Sequence, residues 1–110
     1  MSVLDLLTRA QNLIRDPANW TQDFIARDKI GRPVNVTDPD AVCFCSLGAL
    51  ARAEPDPEAR AKAKIYLHDA VDHLTGGWGI ATFNDREGRT HAEVMAMWDK
   101  ARELAIANAA

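Results

Sequence analysis

Apolar and polar positions alternate along the chain in a way that predicts helices divided by sharp punctuation. Val3, Leu6, Leu7, Ala10, Leu13 and Ile14 recur at helical spacing and make one buried stripe, with Ser2 as cap and Asp5 three residues on. Asp16-Pro17 then ends this helix or opens a single extra turn leading to Trp20. The same dipeptide returns at Asp38-Pro39 and Asp56-Pro57. A carboxylate accepts from the free N–H groups of a first turn, and proline at the first helical position forfeits no bond. Each pair is therefore a candidate helix start.

Between Trp20 and Val36 the period changes. "FIARDKIGRPVNV" holds two short extended runs around Asp28-Lys29-Ile30-Gly31, and Gly31 suits a left-handed turn position. This predicts a small hairpin whose Pro33 lies on an edge strand. A second helix is expected from Asp38-Pro39 through "DAVCFCSLGALARA". Its Cys45, Gly48, Ala49 and Ala51 are small enough to let another element approach closely. A mid-helix glycine costs about 1 kcal/mol against alanine, and close packing is the usual reason to keep one.

Asp56-Pro57 predicts a third helix running through Leu74, with Leu67, Ala70, Val71 and Leu74 inward and Gly76-Gly77 as its stop. "WGIATFND" reads equally as a short strand or a helical turn. In the last helix Thr90 and Glu93 form a capping box, and Val94, Met97, Trp98, Ala101, Leu104 and Ala105 form the core stripe. The fold class expected is α+β and mostly helical: about four helices with one small β-hairpin, in a single domain spanning residues 1–110.

Composition narrows the function classes. At 110 residues, 47% hydrophobic and 26% charged, the chain can bury a core without metal or disulfide staples. A net charge of -3 argues against a general grip on nucleic acid, although Arg27, Lys29 and Arg32 sit together at the hairpin, where a solvated tip is the plainer reading. No apolar run approaches the roughly 20 residues that span a bilayer. "MSVLDLLTRAQNLIRD" lacks the basic lead and continuous apolar centre of an export signal. With only two cysteines, reduced thiols in a cytoplasm are expected.

Several constellations could carry chemistry. Cys43 and Cys45, if helical, point about 200° apart and cannot chelate one ion together. "HDAVDH" pairs His68 with Asp72 and Asp69 with His73 at i,i+4, but its two histidines stand five apart, so solvated charge pairs outweigh a metal site. No metal and no cofactor is expected. Cys45 with His91 and an Asn or Asp has the ingredients of a thiol nucleophile. Yet Cys45 would lie about two turns into its helix, where the dipole has faded. Trp98 belongs to the last core stripe, whereas Trp20 and Trp78 sit at element junctions, as core lids or as a recognition surface.

The densest polar stretch is "FNDREGRTHAEV", with Asn84, Asp85, Arg89 and His91 in one turn. Turn chemistry accounts for Asn84, Asp85, Gly88, Thr90 and Glu93, but capping demands neither Arg89 nor His91. A structural clasp is favoured over a site, and both readings stay open.

Three segments, "NWTQDFIARDKIGRPV", "AVCFCSLGALARA" and "FNDREGRTHAEVMAMWDKA", together resemble a family of small uncharacterised proteins found in bacteria and their phages. The resemblance rests on Trp20, Ala26 to Asp28, Gly31 to Val34, Cys45 to Leu50 and Asn84 to Val94, and it spans about residues 19 to 101. Phe83 stands where a tryptophan often precedes the Asn-Asp pair. The resemblance implies no activity.

Two functions are in contention. The favoured one is a non-enzymatic interaction or regulatory module that binds a protein partner. Its binding set is Trp20, Trp78, Asn84, Asp85, Arg89 and His91, with neither nucleic acid nor membrane as partner and with self-association left open. The alternative is a small hydrolase or transferase that uses Cys45 or Asp85 with His91 as its catalytic group.

Overall fold

Ser2 caps the first helix as its spacing predicts, accepting from the Asp5 N–H at 3.0 Å. In the computed structural model, which describes residues 2–109, this helix, α1, runs Val3–Leu13. Asp16 accepts from the Ala18 N–H at 2.9 Å and opens a single 3-10 turn, Pro17–Asn19, that delivers Trp20.

Strand β1, Ala26–Asp28, enters a tight turn in which Gly31 adopts a φ of 87° and donates to the Asp28 carbonyl at 3.0 Å. The Asp28 carboxylate fixes this turn, accepting from the Ile30 and Arg32 N–H groups at 3.1 and 2.9 Å and from Arg32 Nε at 2.9 Å. The Arg32 N–H first, with the guanidinium and the Ile30 N–H, holds that carboxyl below its ordinary range against the opposing effect of burial. The returning arm meets β1 through one isolated bridge, Arg27 to Pro33, and forms no strand, which corrects the expectation of a hairpin with Pro33 on its edge strand.

The main partner of β1 is β2, Ala41–Phe44, antiparallel, with Ala26 opposite Phe44 and Arg27 opposite Cys43. This corrects the expectation that Asp38-Pro39 opens a helix. Asp38 caps a turn instead, accepting from the Asp40 N–H at 2.8 Å, and the Ala-Val-Cys-Phe run is spent pairing with β1. Helix α2 starts later, at Ser46–Ala53.

Asp56-Pro57 does start α3, Pro57–Thr75, which stops where Gly76 turns left-handed at φ 80°. The ambiguous segment is helical: α4 covers Ile80–Asp85. Helix α5, His91–Ala109, begins with the capping box, Glu93 Oε1 accepting from the Thr90 N–H at 2.9 Å and Thr90 Oγ1 from the Glu93 N–H at 3.1 Å. The Thr90 N–H, with the Thr90 hydroxyl and Arg89 cation assisting, holds the Glu93 carboxyl below its ordinary range. The architecture is thus α+β and mostly helical, with one two-stranded antiparallel sheet.

Helix α5 packs along α3 and against α1, while α2 rests on α1 and α4. Leu7, Ile14, Leu50, Leu67, Met97 and Trp98 are the large apolar side chains removed from solvent at the centre. Gln11 is buried among them but satisfied, its amide donating to Asp99 Oδ1 at 2.8 Å across α1 and α5. Among the described residues, no helix is long and apolar enough to cross a membrane.

Candidate functional site

The polar turn anticipated at residues 84–91 is where the helices and the sheet meet. Asn84, at the end of α4, is buried, and its Oδ1 accepts from Trp20 Nε1 at 2.9 Å, the Ser46 N–H at 3.0 Å and Ser46 Oγ at 2.9 Å. Its Nδ2 donates to the Thr21 carbonyl at 3.1 Å and to Asp85 Oδ1 at 2.8 Å. One side of the amide faces donors and the other faces acceptors, so the partners fix its orientation. Ser46 Oγ in turn accepts from Trp98 Nε1 at 3.2 Å. Both indole N–H groups are therefore satisfied through one buried serine–asparagine pair.

Asp85 extends the junction to the loop before β1. Its Oδ1 accepts from the Asp23 N–H at 3.0 Å, and Asp23 holds a left-handed φ of 74°. Gln22 Nε2 donates to the carbonyls of Asn84 and Arg86, each at 3.0 Å. Residues 20–23 are therefore tied, nearly one by one, to residues 84–86.

Arg89 and His91, which capping does not require, both have structural partners. Arg89 Nε donates to the Phe83 carbonyl at 2.8 Å, and its guanidinium lies 3.8 Å from the Phe83 ring centroid. Its Nη1 reaches Glu93 at 3.3 Å. His91 Nε2 meets the Ile14 carbonyl, just past the end of α1, at 2.7 Å. A carbonyl only accepts, so Nε2 carries the proton. The His91 ring also stands edge-on to Trp20, with centroids 5.9 Å apart. The imidazole thus answers one of the orphan carbonyls at a helix end.

The catalytic alternative requires Cys45, Asp85 and His91 to converge. Cys45 is not two turns into a helix, as its expected position implied, because α2 begins at Ser46 and Cys45 is its cap. The buried Sγ accepts from the Gly48 N–H at 3.3 Å. Burial nonetheless pushes the thiol above its ordinary range, opposed by the Gly48 N–H, with the Asp85 carboxylate raising it further. Among the described residues, no hydrogen bond joins any two of Cys45, Asp85 and His91; Asp85 and His91 are bonded to Asp23 and Ile14 instead. Cys43 lies on β2, half-buried, with Sγ 3.8 Å from the Arg27 carbonyl.

Trp78 is half-buried, and the Arg86 guanidinium lies 4.5 Å from its ring centroid. On α3, ligand atoms of His68, Asp69 and Asp72 lie within 4.8 Å of one another, all three residues exposed, and His68 Nδ1 faces Asp72 Oδ2 at 3.4 Å. At the hairpin, Arg27 donates to Thr21 Oγ1 and to the Gly31 and Gln22 carbonyls. With Arg32 held by Asp28, two of the three cations there have partners inside the chain.

Sequence reasoning missed two things here. Ser46 and Gln22 carry no pattern that announces their partners, since both reach across the chain to Asn84. It also missed an apolar surface. Phe24 and Ile25 are exposed just before β1, Ile30 in the turn after it and Val42 on β2, and Ile30 and Val42 line one groove of about 350 Å³ with Pro39 and Asp40. The signal was present in the apolar pair Phe24-Ile25 and in Ile30, which flank a strand of only three residues with little buried face to use them.

No curated protein matches the chain. No solved structure matches it. Residues 1–104, which contain the whole junction from Trp20 to His91, match a family of unknown function, and the chain belongs to that family, DUF6197.

Proposed function

We propose that the protein is a non-enzymatic interaction module that engages a protein partner through its two-stranded sheet, the residues flanking it and the Trp78 surface, in a cytoplasm that keeps both thiols reduced. One observation carries this reading. Four large apolar side chains stand exposed in or beside the small sheet: Phe24 and Ile25 just before β1, Ile30 in the turn after it and Val42 on β2. Scattered apolar residues on a surface are ordinary, whereas a local concentration of them, with Ile30 and Val42 lining one groove, marks a contact face.

Asn84, Asp85, Arg89 and His91 then act as positioning residues. Asn84 and Asp85 hold the loop from Trp20 to Asp23, and through it β1, at a fixed place on the helices. His91 packs against Trp20, and Arg89 braces Phe83 and Glu93 beside them. A prearranged face loses less freedom on binding. The raised thiol of Cys45 and the engaged Nε2 of His91 weigh against nucleophilic catalysis.

The test is affinity capture from the source cell with the parent and with Ile30→Asp and Val42→Asp. Both side chains are exposed, so both variants should melt like the parent and lose the captured protein. Retention of the same protein by both variants would overturn the assignment of this face.

A further inference from the structure

A second surface, on the opposite kind of element, carries its own assignment. Along the exposed side of α3, Lys62 and Lys64 precede Ile65, and His68, Asp69 and Asp72 come after it, with acidic Glu58 in the first turn. Ile65 is 57% exposed at the middle of this helix. It stands over a groove of about 450 Å³ between α3 and α5, lined by Lys62, Ile65, Tyr66, Asp69, Leu104 and Asn108. Asn108 donates to the Tyr66 hydroxyl at 2.7 Å and so fixes one wall. Among the described residues, neither Lys62 nor Asp69 takes part in an ion pair within the chain.

We infer that this face binds a second copy of the same chain, α3 against α3, antiparallel about a two-fold axis near Ile65. Lys62 lies one turn before Ile65 and Asp69 one turn after it. A two-fold axis between Ile65 and Tyr66 therefore sets Lys62 of each copy against Asp69 of the other. The same operation offers each Ile65 to the groove beside the facing helix. A parallel pairing would set lysine on lysine and aspartate on aspartate, so the charges select the antiparallel arrangement. A partner of uniform charge would attract one of Lys62 and Asp69 and repel the other; a second copy satisfies both.

The interaction is tested by sedimentation velocity over a concentration series, with circular dichroism confirming that each variant folds. The parent should show a monomer–dimer equilibrium that weakens as salt is raised. K62E and D69K should each weaken self-association about tenfold, because either change puts two like-charge contacts into one symmetric dimer. An equimolar mixture of K62E and D69K should associate again, since both lysines of the D69K copy then meet acidic side chains of the K62E copy. The K62E/D69K double variant should likewise recover. I65D should abolish association. A parent that stays monomeric throughout the series overturns the inference. So does a mixture that associates no better than its components.

Discussion

The α-carbon of Gly48 lies so close to the Ile25 carbonyl that a Cβ at position 48 would sit 1.8 Å from that oxygen and 2.8 Å from its carbon. The neighbour is backbone, and the same carbonyl accepts from the Cys45 N–H at 3.4 Å. It cannot retreat without opening the junction between the sheet and α2. Two effects therefore compete in Gly48→Ala: helix propensity favours alanine by about 1 kcal/mol, while overpacking against fixed backbone costs about 3 kcal/mol or more. The clash should win, and chemical denaturation should show a lower midpoint. A variant as stable as the parent would mean that α2 does not approach the sheet this closely.

Asn84 is expected to be the most sensitive polar position. Asn84→Ala strands the Trp20 indole, the Ser46 N–H and hydroxyl and the Thr21 carbonyl in a buried place. Each unsatisfied group costs about 1–3 kcal/mol, so a loss above about 3 kcal/mol is expected. Asn84→Asp should fail as well, because it would aim a carboxylate oxygen at the Thr21 carbonyl and the Asp85 carboxylate. Equilibrium urea unfolding of both variants decides the matter; an Asp variant of parental stability would contradict the orientation of the amide.

How much of this was legible beforehand divides along physical lines. Local chemistry was readable: the Ser2 cap, the Asp16-Pro17 turn, the start of α3 at Asp56-Pro57 and the Thr90–Glu93 box all rest on contacts a few residues apart. Asp38-Pro39 misled because the dipeptide caps any tight turn, and whether a helix or a strand comes next depends on a strand partner elsewhere in the chain. Here Ala26–Asp28 claims Ala41–Phe44. The role of His91 was hidden for a related reason, whereas Arg89 meets Phe83 and Glu93 only a few residues away. His91 answers Ile14, far along the chain, and nothing in the neighbourhood of either residue encodes that meeting.

Cys45 should behave as an inert thiol. Alkylation of a Cys43→Ser variant, which leaves one thiol, should at neutral pH run at least about tenfold slower in the native protein than after denaturation, because burial removes both access and thiolate. The sign of the linked stability change is fixed by the same shift. In the folded state the thiol pKa is raised, so its contribution is fully present below the unfolded value of about 8.5 and is lost as pH rises from there through the folded value. The unfolded chain ionises first and gains. Denaturation midpoints should therefore fall in mild alkali, and less so in Cys45→Ala. Rapid labelling at Cys45 in the native protein would revive the catalytic alternative.

His91 separates positioning from chemistry most cleanly. Its Nε2–H satisfies the Ile14 carbonyl and its ring packs on Trp20, so His91→Ala should cost about 1–2 kcal/mol rather than the few tenths expected of an exposed residue. His91→Gln supplies a side-chain amide that can donate to the same carbonyl, though it lacks the ring. It should recover part of that loss. The two variants also bear on binding. If His91 only holds α1 to the start of α5, His91→Gln should retain any partner that the parent captures through the sheet. Should His91→Gln melt near the parent yet lose that partner, the imidazole itself is part of the contact surface, and its place among the positioning residues is wrong. Thermal melts of both variants beside the same capture assay give the answer. Retention with an intermediate melt is the expected result.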